Sequence, residues 1–255
     1  MASIIDSFSE ALNDRFALVK FIVYAIPVYI VAERFVLGRM AYVQVWGPLV
    51  LLLLIAVLTQ AINNVRLCRT EILTLNPVRL VKALGKALLV LVPHVLVLGY
   101  IGYVLTGLLI FNVSIPHFNL IIHTIIWAIM GSIVLTSYLS FAKYLRISQG
   151  YNYRVIFESC VDVLVSLIFY SPQLVIAFAI LVAPVWYVLS ILNIPLTHWA
   201  FVAYCSIIFV IFVSIMANYF AQSAYEQIKG NNEDDDHNYN IIDFIDDVAE
   251  RLNGK

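Results

Sequence analysis

The sequence predicts an all-α, polytopic integral membrane protein of about six transmembrane helices, and three observations predict it. The first is composition: of 255 residues, 62% are hydrophobic and 12% charged, with a mean hydropathy of +0.92. Soluble domains carry about 25% charged residues, so this chain has too few to cover a surface facing water. The second is the stretch 87–142, bracketed by Lys86 and Lys143, which holds no Asp, Glu, Lys or Arg. Two apolar runs there flank the polar break NVSIPHFN. A hydrocarbon core about 30 Å thick is crossed by roughly 20 apolar helical residues, so the stretch makes a helical hairpin in lipid. The third is that no charge occurs between Asp162 and Glu226, which gives a second dry hairpin.

The elements follow in order. Residues 1–16 form an amphipathic lead-in: Ile4, Ile5, Phe8, Leu12 and Phe16 share a helical face, with Asp6, Glu10 and Asp14 elsewhere. It is expected at the membrane interface or on the protein's own loops. The transmembrane bundle is 17–228. Its first helix, FIVYAIPVYIVA, is the weakest span, and reaches crossing length only if Lys20 snorkels at one end and Arg34 at the other. The second, 42–62, is unambiguous. The most basic loop follows, and Asn76 as N-cap with Pro77 at the first helical position starts an interfacial helix expected to bury Leu80, Val81 and Leu84.

Helices three and four are the hairpin of 87–142, where Gly99, Gly102 and Gly107 are expected to allow close packing. Residues 151–160 are again amphipathic. The fifth helix, 161–192, is longer than one crossing needs and contains Pro172 and Pro184, which predicts a kink or an overhang. The sixth is 199–222. Residues 229–255 form an acidic linker, NNEDDDHNYN, and a tail helix with Ile241, Ile242, Ile245, Val248 and Leu252 on one face. Its polar face carries Asp and Glu where a membrane-surface helix carries Lys and Arg, so docking on the basic loops or on a partner is expected.

Lys and Arg concentrate in the loops 63–86 and 143–160, while NVSIPHFN and NIPLTH carry none. The positive-inside rule then puts both termini on the cytoplasmic side of a cell membrane, with Arg34 and Arg39 against the pattern. Prolines pair as Pro27/Pro48, Pro93/Pro116 and Pro172/Pro195, the first inside an odd helix and the second at the start of an even one. That spacing suggests three copies of a helical hairpin.

Composition also excludes. A net charge of −1, with no basic arm, argues against nucleic acid. Cys68, Cys160 and Cys205 are odd in number and lack a C-x-x-C pair, so neither a disulfide framework nor a zinc site is expected. The acidic first residues do not read as a cleavable leader. Expected partners are membrane lipids and a protein at the cytoplasmic face; no cofactor or metal is expected.

The candidate intramembrane polar site has three parts. Asp162 is either a proton or cation site or an acid in a first helical turn, favoured by the helix dipole. His94 and His123 are either a titratable or metal-binding pair or separate, hydrogen-bonded imidazoles. Pro93 frees a carbonyl one turn back, which a nearby polar side chain must satisfy. Ser166, Tyr170 and Gln173 surround Pro172, with Asn218 and Gln222 on the sixth helix. They form either a polar pocket at a broken helix, as in transporters, or interhelical hydrogen bonds. The chain lacks His-x-x-x-His, Gly-x-Ser-x-Gly and Walker patterns, so it is not expected to be an enzyme.

The lead-ins SFSEALNDRFALVKFI and NPVRLVKALGKALLVLVPHVLVLGYIGY, with the polar–aromatic finish MANYFAQSAYEQI, resemble a prokaryotic family of uncharacterised six-helix membrane proteins, domain of unknown function 4013. The likeness covers most of residues 5–228, though a clear Gly-Tyr-x-x-Arg after the first helix is missing. It implies a bacterial or archaeal cytoplasmic membrane and carries no activity to transfer. The expected function is a non-enzymatic bundle that scaffolds or handles a small or lipidic molecule. The alternative is a membrane subunit of a transporter complex, docking a partner through cytoplasmic loops or tail; an intramembrane enzyme ranks third. Single cysteines introduced at Thr70 and Ser114 test the orientation. Impermeant labelling of intact cells is expected to tag position 114 and spare position 70, and the reverse would invert the topology.

Overall fold

Long apolar runs propagate as single helices even through internal prolines, and the computed structural model shows how far. It describes residues 9, 11–14, 16–67, 69, 71–108, 117–224 and 228. Most of the lead-in, the 109–116 break with Pro116, and the acidic linker and tail helix of 229–255 lie outside the described residues. The elements are α1 (Ala17–Val36), α2 (Met40–Arg66), α3 (Pro77–Leu108), α4 (Phe118–Tyr144), a 3-10 turn (Ile147–Tyr151), α5 (Tyr153–Ile191) and α6 (Trp199–Tyr219), which runs into a π turn (Phe220–Ala224). No strand occurs among the described residues.

The two expected interfacial helices are not separate. The 77–86 segment continues into α3, 32 residues long, and 151–160 continues into α5, 39 residues long, because no Gly-Pro break separates lead-in from span. Asn76 caps α3 as expected, its Oδ1 accepting from Val78 N–H at 3.0 Å. Leu80 is buried but Val81 is 68% exposed, since the first turns of α3 press Leu80, Ala83 and Ala87 against the bundle. The α1–α2 turn closes at Gly38, whose φ of 70° suits a residue without Cβ. Asn193, φ 52°, ends α5, with Ile194 N–H reaching back to Leu189 O. Of the paired prolines, Pro27, Pro93 and Pro172 lie inside α1, α3 and α5. Pro48 falls well inside α2 and Pro195 in the loop before α6.

Five helices, α2 to α6, are long and apolar enough to cross a membrane. The exception, α1, carries Lys20, Glu33 and Arg34 within its 20 residues. It nevertheless runs along α6 and α2, with Leu18, Ile22, Ile26 and Ile30 exposed on the opposite side. Its N-terminal end lies against the α2–α3 loop, where Tyr24 donates to Thr74 O. The C-terminal end of α6 lies there too, since Arg66 donates to Ala221 O at 3.3 Å. Six helices therefore alternate in direction, and the basic loops share one end of the bundle.

Packing is uneven. More than half of the most apolar stretch of α6 is buried, a third of that of α2, and none of that of α5. The core thus centres on α2 and α6, with Val210, Ile215 and Ala217 against Ala61, Ile62 and Phe21 in one cluster. α5 packs mainly on α4 and only lightly on α6, so the third expected hairpin is the loosest. The lead-in also faces differently from the helical-face expectation: Ala11 and Asp14 are buried, while Leu12 and Phe16 point outward.

Lys20 does not snorkel. Its Nζ lies 2.9 Å from Asp14 Oδ1, with the two side chains 4% and 1% exposed, and 3.8 Å from the half-exposed Glu71. Asp14 Oδ2 also accepts from Leu73 N–H at 3.0 Å. Removing one partner of a buried ion pair strands the other charge and costs about 3–5 kcal/mol. Asp14→Ala is therefore expected to cost about 3 kcal/mol, and Asp14→Ala/Lys20→Met distinctly less. Denaturation in detergent checks this; equal losses would mean that the pair is solvated.

Candidate functional site

Polar side chains inside this bundle gather in four places rather than one. At the basic end a buried knot joins α1, α2 and the 71–76 loop. Gln60 donates to Asn64 Oδ1 at 2.9 Å, and Asn64 donates to Ile72 O at 3.1 Å. One turn further in, Thr59 gives its only proton to Ile55 O at 2.7 Å, so the Tyr138 hydroxyl is the donor in their 2.7 Å contact. None of these residues was singled out from sequence as a site. The polar run Thr59–Gln60 and Asn63–Asn64 at the end of α2 was the available signal.

The second place is His94, almost wholly buried on α3. Its Nδ1 faces Val90 O at 2.8 Å, and its Nε2 lies 3.2 Å from Ser137 Oγ on α4. Ser137 donates to Gly150 O at 2.7 Å, so its proton lies toward a backbone carbonyl, not toward the ring that would activate a nucleophile. Tyr151 and Tyr153 flank the imidazole at 5.0 and 5.8 Å between ring centres. The carbonyl that Pro93 frees is Leu89 O, and Tyr151 donates to it at 2.6 Å. The sequence located the unsatisfied carbonyl, but its donor is a tyrosine 62 positions along rather than the adjacent histidine.

The third is the α5–α6 seam. Ser166 and Tyr219 share a hydrogen bond between hydroxyls, and the Tyr170 and Tyr219 rings stack 3.5 Å apart and nearly parallel. The Tyr170 hydroxyl is shielded and has no hydrogen-bond partner among the described residues. Asn218, next to Tyr219, is fully buried on α6, and Gln222 sits half-buried in the π turn. Gln173 does not join them: it lies exposed on α5 and donates to Phe169 O at 3.2 Å. Asp162 is half-buried in the third turn of α5 rather than the first, because the helix begins at Tyr153.

The fourth is His123, near the start of α4. Ser137 and His123 are about 21 Å apart along α4, so the two histidines do not form a pair. No cluster of three or more His, Cys, Asp and Glu side chains occurs among the described residues. Gly102 meets the Trp127 ring at 3.3 Å from where a Cβ would stand, whereas Gly99 and Gly107 face open space. Only Gly102 serves the expected close packing.

These arrangements define an all-α, multi-pass integral membrane protein whose polar groups in part join helices and in part return to carbonyls of their own helix. No protein-family model matches the chain, and no curated protein or solved structure matches it either.

The Tyr151 contact gives a direct test. Tyr151→Phe leaves Leu89 O without its donor and is expected to cost about 1 kcal/mol. In a Pro93→Ala background residue 93 supplies the missing N–H, so the same substitution is expected to be near neutral. Equal losses in both backgrounds, by thermal unfolding in detergent, would show that Tyr151 does not serve this carbonyl.

Proposed function

We propose that the chain is a non-enzymatic membrane bundle that scaffolds or handles a small or lipidic molecule at its lipid-facing surface. The observation that carries this reading is the length of α5. On α6, Trp199 and Asn218 are about 28 Å apart along the helix, and on α3 Lys86 and Tyr103 about 26 Å, close to a hydrocarbon core. On α5 the exposed Arg154 and Trp186 are about 48 Å apart. A straight helix of that span would tilt beyond about 40°, the upper end of the usual range. It must instead bend at Pro172 or Pro184, overhang, or thicken the bilayer around it, and local thickening would organise lipid. The resemblance to a prokaryotic six-helix family supports a cytoplasmic membrane, and the basic loops at one end of the bundle support a cytoplasmic placement for that end.

The second reading, a membrane subunit that docks a partner, draws on the α2–α3 loop. Asp14, Tyr24 and Asn64 pin its backbone and hold Leu75 and Val78 outward. Extraction in native nanodiscs, with quantification of co-isolated lipid and protein, distinguishes the two. The first reading expects one lipid class enriched over the bulk membrane; the second expects a protein that is lost when residues 231–255 are deleted. A lipid profile equal to the bulk membrane would overturn the first.

A further inference from the structure

Three contacts in a row at His94 share too few protons. Its Nδ1 lies 2.8 Å from Val90 O, its Nε2 lies 3.2 Å from Ser137 Oγ, and Ser137 Oγ lies 2.7 Å from Gly150 O. Both carbonyls can only accept. A neutral imidazole brings one N–H and the hydroxyl one O–H, so in either tautomer one of the three contacts sets lone pair against lone pair. A second ring proton fills all three: Nδ1–H donates to Val90 O, Nε2–H to Ser137 Oγ, and Ser137 O–H to Gly150 O. The path from α3 through α4 to the 3-10 turn is complete only around an imidazolium.

The groups around the ring belong largely to that turn. Tyr151 of the turn and Tyr153 of α5 lie 5.0 and 5.8 Å from it between ring centres, inside the roughly 6 Å at which a cation is drawn to an aromatic face. These two are the titratable groups that face His94; α4 offers it the Ser137 hydroxyl and α3 the Val90 carbonyl. No ion pair among the described residues includes it, and a buried charge without a counter-ion is costly. The charge therefore leans on what the turn supplies, namely Gly150 O through Ser137 and the Tyr151 ring. Gly150 makes the seating close, since a Cβ there would stand 2.7 Å from Val90 Cγ1. The ring is 4% exposed, so a proton enters or leaves as the turn lifts. We infer that His94 is a proton-binding site whose occupancy fastens the α4–α5 connection onto α3. The proton stabilises the seated turn at the acid end of the range, and that stabilisation is lost as the pH rises.

Two readouts on the full chain in lipid nanodiscs, taken between about pH 5 and pH 8 where imidazoles titrate, test it. The first is nitrogen NMR of the histidine-labelled chain, with the His94 signals assigned by their loss in His94→Gln. Both ring nitrogens are expected to carry protons at the acid end, and Nε2 to lose its proton as the pH rises. The second is hydrogen exchange at the turn's own amides, Gln149 N–H bonded to Arg146 O and Asn152 N–H bonded to Gln149 O. Exchange is expressed as protection relative to an unfolded chain at the same pH. Protection is expected to fall about 3- to 10-fold from the acid to the alkaline end, and to stay level in His94→Gln. Should that variant fold poorly, Ser137→Ala keeps the imidazole but breaks the path, and is expected to remove most of the fall. A ring with a single proton throughout, protection that ignores pH in the unmodified chain, or an undiminished fall in the variants would overturn the inference.

Discussion

In the interior of a bilayer no water is at hand to satisfy a backbone N–H or C=O, and this requirement governs most of what the structure does with its polar side chains. Every proline inside a helix deletes one donor. At Pro93 the orphaned Leu89 carbonyl is met by Tyr151, which ties the 3-10 turn to α3. One residue past the Ile180 carbonyl that Pro184 frees, Tyr204 on α6 donates to Leu181 O at 2.8 Å and joins α6 to α5. The buried hydroxyls follow the same logic locally: Thr136 and Ser206 return their protons to the carbonyl one turn back, each at 2.7 Å. Satisfying the backbone and joining helices are thus often the same contact.

The charged end of the bundle obeys a related rule. A lysine near the start of a marginal span has two ways to keep its charge: reach for headgroups, or find a carboxylate. Lys20 takes the second course because Phe16, in a left-handed conformation at φ 60°, breaks the chain between lead-in and α1 and turns Asp14 back onto it. The carboxylate then holds Lys20 and the Leu73 amide together, so α1 is fastened to the α2–α3 loop. A helix too charged to be a confident span by composition is in this way built into the bundle, antiparallel to α2.

How much of this was legible depended on range. Helix periods, the Asn76 cap and the two dry hairpins are local or compositional, and the sequence carried them plainly. That the basic loops share one end followed from where Lys and Arg fall, and the structure gathers them there. Contacts between distant positions were not legible: nothing in the string pairs Tyr24 with Thr74 or Ser137 with Gly150. The Phe16 break was hidden because a non-glycine residue with positive φ has no sequence signature. Among the candidate site residues, Ser166 and Tyr170 meet around Tyr219; Gln173 missed them because side chains one turn of helix apart need not face the same neighbour.

We propose that α1 traverses the membrane as a sixth element despite Lys20, Glu33 and Arg34. Nitroxide labels placed singly at Leu18, Ile22, Ile26, Ile30 and Phe35 along its exposed stripe, in lipid bilayers, test this most directly. A traversing α1 gives the highest oxygen collision rate at Ile26, where access of a water-soluble nickel chelate is lowest, with chelate access rising toward Leu18 and Phe35. Chelate access that stays level along the whole stripe would place α1 flat on the membrane surface and leave five crossings, contradicting the account.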